Sequence, residues 1–548
     1  MRRLIYIFII GLLLCSYTWA DGSRYASKSL LSEGKWVKIR VDKTGIYKLS
    51  YADLKNMGFS DPSKVSVHGY GGWPLDEDFS KEYIDDVPST PVWRGSDYLL
   101  FYGKGPVKWE YDSSSQTFVH TNNPYSLYGY YFVTDATPTN DMTSVAQASG
   151  ASTRITTYDD YLLHEQELVS VNQSGREFFG EDFSGARPRT ISTFSSIPGI
   201  TDADGKVTMR FISRINSGSG TASLSINDSE LLDITIPSVQ TVSSNVRSYT
   251  KAIPGTTTAL WKGSKSEKNN VVVSYSSSGH TNVRLDYIRM QFVRTLRPYG
   301  ACTFFRSLTS VGNSSRFVIS EANSNTLVFD VTDALNVKRV EADLNGSELS
   351  FTIPAGRLRE FVLVQTNQTF PSPEVVGEVA SSNLHGLEQR DMIIISAPSL
   401  VQQAERLAVA HREKDGLTVE VVTPEAIYNE FSSGTPDATA YRRLMKMFYD
   451  RSSSLGNPPK YLLLFGDGIY DNRGISGEVQ GVSRSNMLLT FQSQESLNVY
   501  SYATDDYFAF LEDNSGSNFS RDKMCLGVGR FPIRTVTEAT QMVDKTIS

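Results

Sequence analysis

The sequence predicts a multidomain protein in which β-rich, sandwich-like N-terminal domains lead into an α/β unit with a mainly parallel sheet. Three observations carry that expectation. A chain of 548 residues with 40% hydrophobic and 21% charged residues has the size and composition of several globular domains. Up to about residue 385, short alternating strands follow one another, separated by Gly, Ser and Asn turns. At Asp391 the pattern changes to continuous apolar strands alternating with helices, the signature of a sheet buried on both faces.

The first elements concern export. Met1-Arg2-Arg3, the apolar run LIYIFIIGLLLC and the exit SYTWA read as a signal peptide over residues 1–20, with Thr18 and Ala20 at the cleavage positions. Leu14 before Cys15 argues against lipid attachment, and no later stretch is long and apolar enough for a membrane-spanning helix. The formal net charge of -7 and the lack of a Lys/Arg cluster argue against nucleic acid as the main partner. Beyond the signal only Cys302 and Cys525 remain, so neither a disulfide framework nor a Cys/His zinc site is expected. The six histidines lack metal-ligand spacing and read as surface or hydrogen-bonded groups.

Residues 21–150 form a first β-rich domain. KWVKIRVDKTGIYKLS gives two strands, and Ser50 and Gly58 bracket a short helix. Residues 151–385 form a sandwich-like domain, with strands in KVTMRFISRI, TASLSIND, NNVVVSYSS, NVRLDYIRMQFVRTL, TLVFDVTD and REFVLVQT. Asp202 and Asp204 read as turn residues, and PSPEVVGEVASSNLHGLEQ as a linker. From 391 to 548, MIIISAP, LTVEVV, YLLLF and VGRFPIRT are strands. Ser399–Gln402 and Thr535–Glu538 read as capping boxes, and Thr423-Pro424 and Thr435-Pro436 as helix starts. The buried stripes are Leu400, Ala404, Leu407, Ala408 and His411, then Tyr441, Leu444, Met445 and Phe448, then Val536, Ala539 and Val543.

The candidate site follows from YLLLFGDGIYDNR. A buried strand runs into Gly466-Asp467-Gly468, where the glycines let the backbone turn, and ligands of such sheets bind beyond the carboxyl ends of the strands. GDGIYD approaches a dinucleotide fingerprint, but that chemistry needs a helix to open there, and a Gly/Ser-rich loop follows. Asp467, Asp471, Asp505 and Asp506 are therefore read as cleft carboxylates or hard-oxygen ligands for calcium, with turn capping as the plainer alternative.

Taken in order, KWVKIRVDKTGIYKLSYADLKNMGF, HGYGG, LLFYGKG, NPYSLYGYYFVTD, YLLLFGDGIYD, YATDDYF and VGRFPIRTVTEATQMVDKTI resemble the gingipain-type cysteine peptidase family, specifically its sortase-like type IX secretion members. The resemblance implies a caspase-like α/β domain working through a Cys–His dyad, with thiolate attack, imidazole proton transfer and a backbone oxyanion hole. It also implies a task at the outer membrane. Such proteins remove the C-terminal sorting domain of exported cargo, join the cargo to an anionic lipopolysaccharide and work beside outer-membrane secretion components. In the family the dyad's His-Gly segment and its cysteine both follow the VGRFP stretch. Here His68-Gly69, His385-Gly386 and Cys525 all precede that place, so no catalytic residue is assigned. The expectation is an N-terminal portion of such a peptidase, without its dyad. The alternative is a secreted β-rich binding or scaffold protein carrying a degenerate α/β module.

Overall fold

The computed structural model describes residues 24–548 except 82, 186, 244, 245, 248, 278 and 478–485, so the signal segment lies outside the described residues. In the first region, strand Val37–Val41 pairs antiparallel with Gly129–Thr134 on one side and Glu374–Glu378 on the other. A second sheet contains Gly45–Ser50 and Tyr98–Gly103, and the two sheets share a core that includes Ile39, Leu49, Leu54, Val67, Leu99 and Tyr131. The helix Tyr51–Asn56 starts at Ser50 in a capping box closed by Asp53, and Gly58 follows its end at φ 90°. The supposed linker is partly structural. Residues 374–378 return to the first sheet as an edge strand, so this piece lacks a strand signature because only one side of it is paired.

The stretch 151–385 holds two separate two-sheet packings. In one, the sheet of Thr157–Glu165, His280–Thr295, Gly205–Ile215 and Ile253–Trp261 shares a core with the sheet of Val271–Ser276, Ser219–Ile226 and Ser229–Pro237. The other is filled by Phe305, Phe317, Phe351 and Phe361, and it recruits residues 144–145 and 153–155 as edge strands. Asp202 accepts the Lys265 amide (2.8 Å), a loop contact in keeping with its reading as a turn residue. Strands Val107–Asp112 and Thr117–Asn122 form an isolated two-stranded ribbon. It lies on the first packing through Trp109 stacked on Tyr161 (4.1 Å) and His120 against Tyr287 (4.9 Å).

The α/β unit contains β1 (Met392–Ser396), α1 (Val401–Lys414), β2 (Val419–Val422), α2 (Pro424–Phe431), α3 (Ala438–Leu455), β3 (Tyr461–Phe465), β4 (Gly527–Phe531) and α4 (Val536–Ile547). The sheet order is β2-β1-β3-β4, and all three pairings are parallel. The chain leaves β1 in one direction and then runs back past it to β3. Right-handed crossovers therefore place α1 and α2/α3 on opposite faces, and the switch point falls between β1 and β3.

Several helix starts differ from expectation. A single 3-10 turn, Pro398–Leu400, opens α1 without a side-chain cap, because Pro398 needs no partner for an amide it lacks; Ser399 instead donates to Asn486. Asp437 caps α3, two residues beyond the expected start, by accepting the Thr439 amide (2.8 Å). Thr423 and Thr535 cap α2 and α4 as expected. On α4, Ala539 and Val543 are buried, whereas Val536 stands 49% exposed at the first turn. Helix α3 buries its apolar stripe, and also Arg442, Arg443 and Lys446 on its polar side. That side is covered by other parts of the chain: Arg442 donates to the carbonyls of Glu77 and Phe510, and its guanidinium lies 4.0 Å over Phe79. Tyr25 and Tyr125 of the first region belong to the α/β core itself. No helix among the described residues is long and apolar enough to cross a membrane.

Candidate functional site

The carboxyl ends of β1 and β3 form the switch point, and the sequence drives four buried residues, Leu462 to Phe465, straight towards it. Beyond β3 the backbone continues its ladder: Gly466 N–H donates to the Phe531 carbonyl (3.2 Å) and Asp467 N–H to that of Ile533 (3.0 Å). Asp467-Gly468 then pairs in parallel with Met487-Leu488. The glycines are there for close approach, not for a sharp turn, since neither has a positive φ. A Cβ on Gly468 would stand 2.4 Å from Thr490 Cγ2, and one on Gly466 3.0 Å from Leu488 Cγ. The expected turn is thus a crowded strand edge, and among the described residues no helix opens directly after Gly468, so the dinucleotide-type geometry finds no support.

The four predicted carboxylates do not converge. Asp467 accepts from its own Gly468 amide (2.8 Å) and from the Arg534 guanidinium. Asp505 receives a fork from Arg530, Nε at 2.9 Å and Nη2 at 2.8 Å. Arg530 also reaches the carbonyls of Gly466 and Leu489 (both 3.2 Å), so this one guanidinium joins three segments of the edge. Asp471 is fully buried and accepts the amides of Gly474, Ile475 and Ser476 and the Ser476 hydroxyl, all within 3.0 Å. Asp506 opens a one-turn helix over 506–509. Among the described residues no group of three or more His, Cys, Asp or Glu side chains is arranged to hold a metal ion. The expected calcium cluster is therefore not assembled; arginine forks and backbone amides use the oxygens a cation would need.

Side chains zip the loop after β3 to its neighbour. Asn472 exchanges two hydrogen bonds with the Thr490 backbone (3.0 and 3.1 Å), and Gln492 donates to the Tyr470 carbonyl (2.7 Å). Arg473 forms a forked ion pair with Glu167, which fastens this loop to the preceding β-rich block. A groove of about 320 Å³ lies beside the loop, with Ile469, Met487 and Leu489 on one wall and Tyr125, Tyr128 and Tyr130 of the first region on the other.

The cysteines and histidines are elsewhere. Cys302 is half-buried between the second packing and the first region, beside a core that includes Ile46, Leu100, Tyr102 and Val364, and desolvation pushes its thiol up to about 12, which leaves it unreactive as a nucleophile. Cys525 precedes β4, at the amino end of the sheet, and its thiol contacts the Lys523 carbonyl at 3.7 Å. The histidines bond to hydroxyls, carbonyls and carboxylates, and among the described residues no hydrogen bond joins a cysteine to a histidine.

Sequence reasoning missed one cluster. His385 is buried, with Nδ1 2.7 Å from Glu430 and Nε2 3.0 Å from Asp85, and its ring stacks on Phe431 at 4.5 Å. Burial alone would lower the imidazole's proton affinity, but hydrogen bonds and charge from Asp85 and Glu430 outweigh it and raise the pKa to about 9. This His-Gly pair is a structural clamp between the first region and α2. Its partners lie 300 and 45 residues away, beyond any local signal.

Comparison with known proteins agrees with this architecture. The profile of peptidase family C25 matches residues 385–548. The crystal structure of dimeric latent PorU from Porphyromonas gingivalis is 38% identical with a TM-score of 0.86, over 95% of this chain and 50% of that one. This chain thus spans about half the length of that relative. CBM35 from Cellvibrio japonicus Abf62 is 15% identical over 25% of this chain and 97% of that one, with a TM-score of 0.14, too low to bear on the fold. A search of curated proteins gave no match. With its parallel sheet, its pinned strand ends and its resemblance to PorU along nearly its whole length, the chain carries in residues 385–548 a segment that belongs to peptidase family C25, the gingipain family.

Proposed function

We propose that the protein serves type IX secretion as a sortase-like cysteine peptidase of the gingipain family, acting on the C-terminal sorting domains of exported cargo at the outer membrane. Its parts are an export signal over 1–20, β-rich domains over 21–150 and 151–385, and the cleft-bearing α/β segment over 391–548. The single observation behind this reading is the likeness to PorU over 95% of this chain at 38% identity. On this reading the strand ends of the α/β segment form the floor of a substrate cleft. Its sheet ends at β4, whose outer side has no strand partner among the described residues. Among the described residues no cysteine–histidine pair is assembled at this edge, so the reading gives no residue of this chain a catalytic role.

The test combines the purified chain with a cargo protein carrying its sorting domain, and reads binding and cleavage separately. Binding without cleavage, with Cys302 and Cys525 unlabelled by an active-site-directed thiol reagent, is the expected result. Cleavage abolished by Cys525→Ser would refute the reading that gives no cysteine of this chain a catalytic role. Absence of binding would refute the assignment to secretion.

A further inference from the structure

A second cavity, of about 540 Å³, opens where the 107–122 ribbon, the first two-sheet packing and the loop after β3 meet. Its size is that of a small-molecule pocket, typically about 300–1,000 Å³. Its walls are charged, and nearly every cation there has a carboxylate. Arg473 pairs with Glu167, Arg176 with Glu77, Arg210 with Glu177 and Asp286, and Lys108 with Glu110.

Arg289 is the exception. It lines the cavity at 9% exposure, and among the described residues no carboxylate forms an ion pair with it. Its Nη1 reaches the Phe118 carbonyl at a long 3.4 Å, its Nη2 the Tyr287 hydroxyl at 3.1 Å, and its Nε has no partner. The Tyr287 ring at 4.7 Å returns a little as a cation–π contact. A buried guanidinium with neutral partners alone is costly, and its planar fork of donors is shaped for a carboxylate or phosphate. The same wall carries an opposite demand. Glu165 takes His120 at 3.1 Å and the Asn122 amide at 2.8 Å, and the Asn122 carboxamide oxygen is left buried without a donor. With Glu110 and Glu165 nearby, a polyanion would be repelled, whereas one oxyanion flanked by hydroxyl donors suits both ends.

We propose that this cavity binds a small hydroxylated ligand through a single carboxylate or phosphate held by Arg289. No step of the peptidase reading requires such a site, and its ligand class follows from the lining alone. The test follows thermal unfolding of the full chain at fixed ionic strength with galacturonate, inorganic phosphate or galactose. Galacturonate is expected to raise the midpoint saturably and phosphate to raise it less, while galactose leaves it unchanged. Arg289→Gln should abolish the response. Thr121→Glu places a negative charge on an exposed part of the wall and should leave the unliganded midpoint alone while weakening galacturonate about tenfold. Thr121→Glu decides alone if Arg289→Gln does not fold. No response to galacturonate, an equal response to galactose, or a response undiminished in Thr121→Glu would overturn the proposal.

Discussion

Replacing His385 by glutamine should loosen the first region from the α/β unit, and by an amount that depends on pH. The imidazolium lies between Asp85 and Glu430, and Glu430 is itself fully buried and also accepts the amides of Leu384 (2.7 Å) and His385 (3.0 Å). A folded-state pKa of about 9 lies well above the ordinary value near 6.5. The sign follows from linkage: a raised histidine contributes its full stability below about pH 6.5, and that contribution is lost as pH rises through 9. The difference of roughly 2.5 units corresponds to roughly 3 kcal/mol. The assay is the first urea-unfolding transition of wild type and His385→Gln, at about pH 6 and above the folded pKa, with the difference between the proteins as the readout so that other titrating groups cancel. The gap should be close to its full size at the lower pH and should largely close at the higher one. A gap of equal size at both would show that packing on Phe431, not charge, holds the clamp, and would refute the reasoning.

Other outcomes follow from the same coordinates. Gly468→Ala should destabilise the strand edge by about 1–3 kcal/mol and open residues 486–492 to limited proteolysis, because its Cβ would meet Thr490 Cγ2 at 2.4 Å. Gly529→Ala, with nothing within 4 Å of its Cβ, should leave the same proteolysis pattern unchanged. Native alkylation of Cys302 should be slow at pH 8, since its pKa is about 12, and should match Cys525 only after unfolding. A Glu167/Arg473 double-mutant cycle on thermal unfolding should return a coupling of about 1–3 kcal/mol for the buried fork.

The α/β half was legible because its signals are local. Three apolar runs and VGRFPIRT became the four parallel strands, and Thr423, Thr535 and Gly416 mark helix ends within a residue or two of the structure. The site was legible only as a place. The Gly-Asp-Gly edge sits where the strand pattern puts it, but the fate of its carboxylates depended on arginines 25 and 67 residues away, Arg530 for Asp505 and Arg534 for Asp467. The burial of the polar side of α3 was not legible for the same reason. Nothing near Arg442 in sequence shows that Phe79 and the Glu77 carbonyl will cover it.

These long-range contacts bear on how the cleft would work. A peptidase floor must hold its strand ends still while substrate is pulled across them, and rigid support of that kind is what preorganisation requires. Here the support comes from outside the α/β unit. Arg473 is anchored on Glu167, the α2–α3 turn is bonded to Tyr130 and Gly71 through Ser433 and Thr435, and Tyr125 lies inside the α/β core. The β-rich regions therefore act as a brace for the strand edge, not as separate modules on tethers. Removing them would expose the charged side of α3 and the core around Tyr125 together, so the α/β segment should not fold alone as a soluble unit. On the reading proposed above, the strand edge keeps its geometry only while this brace is in place.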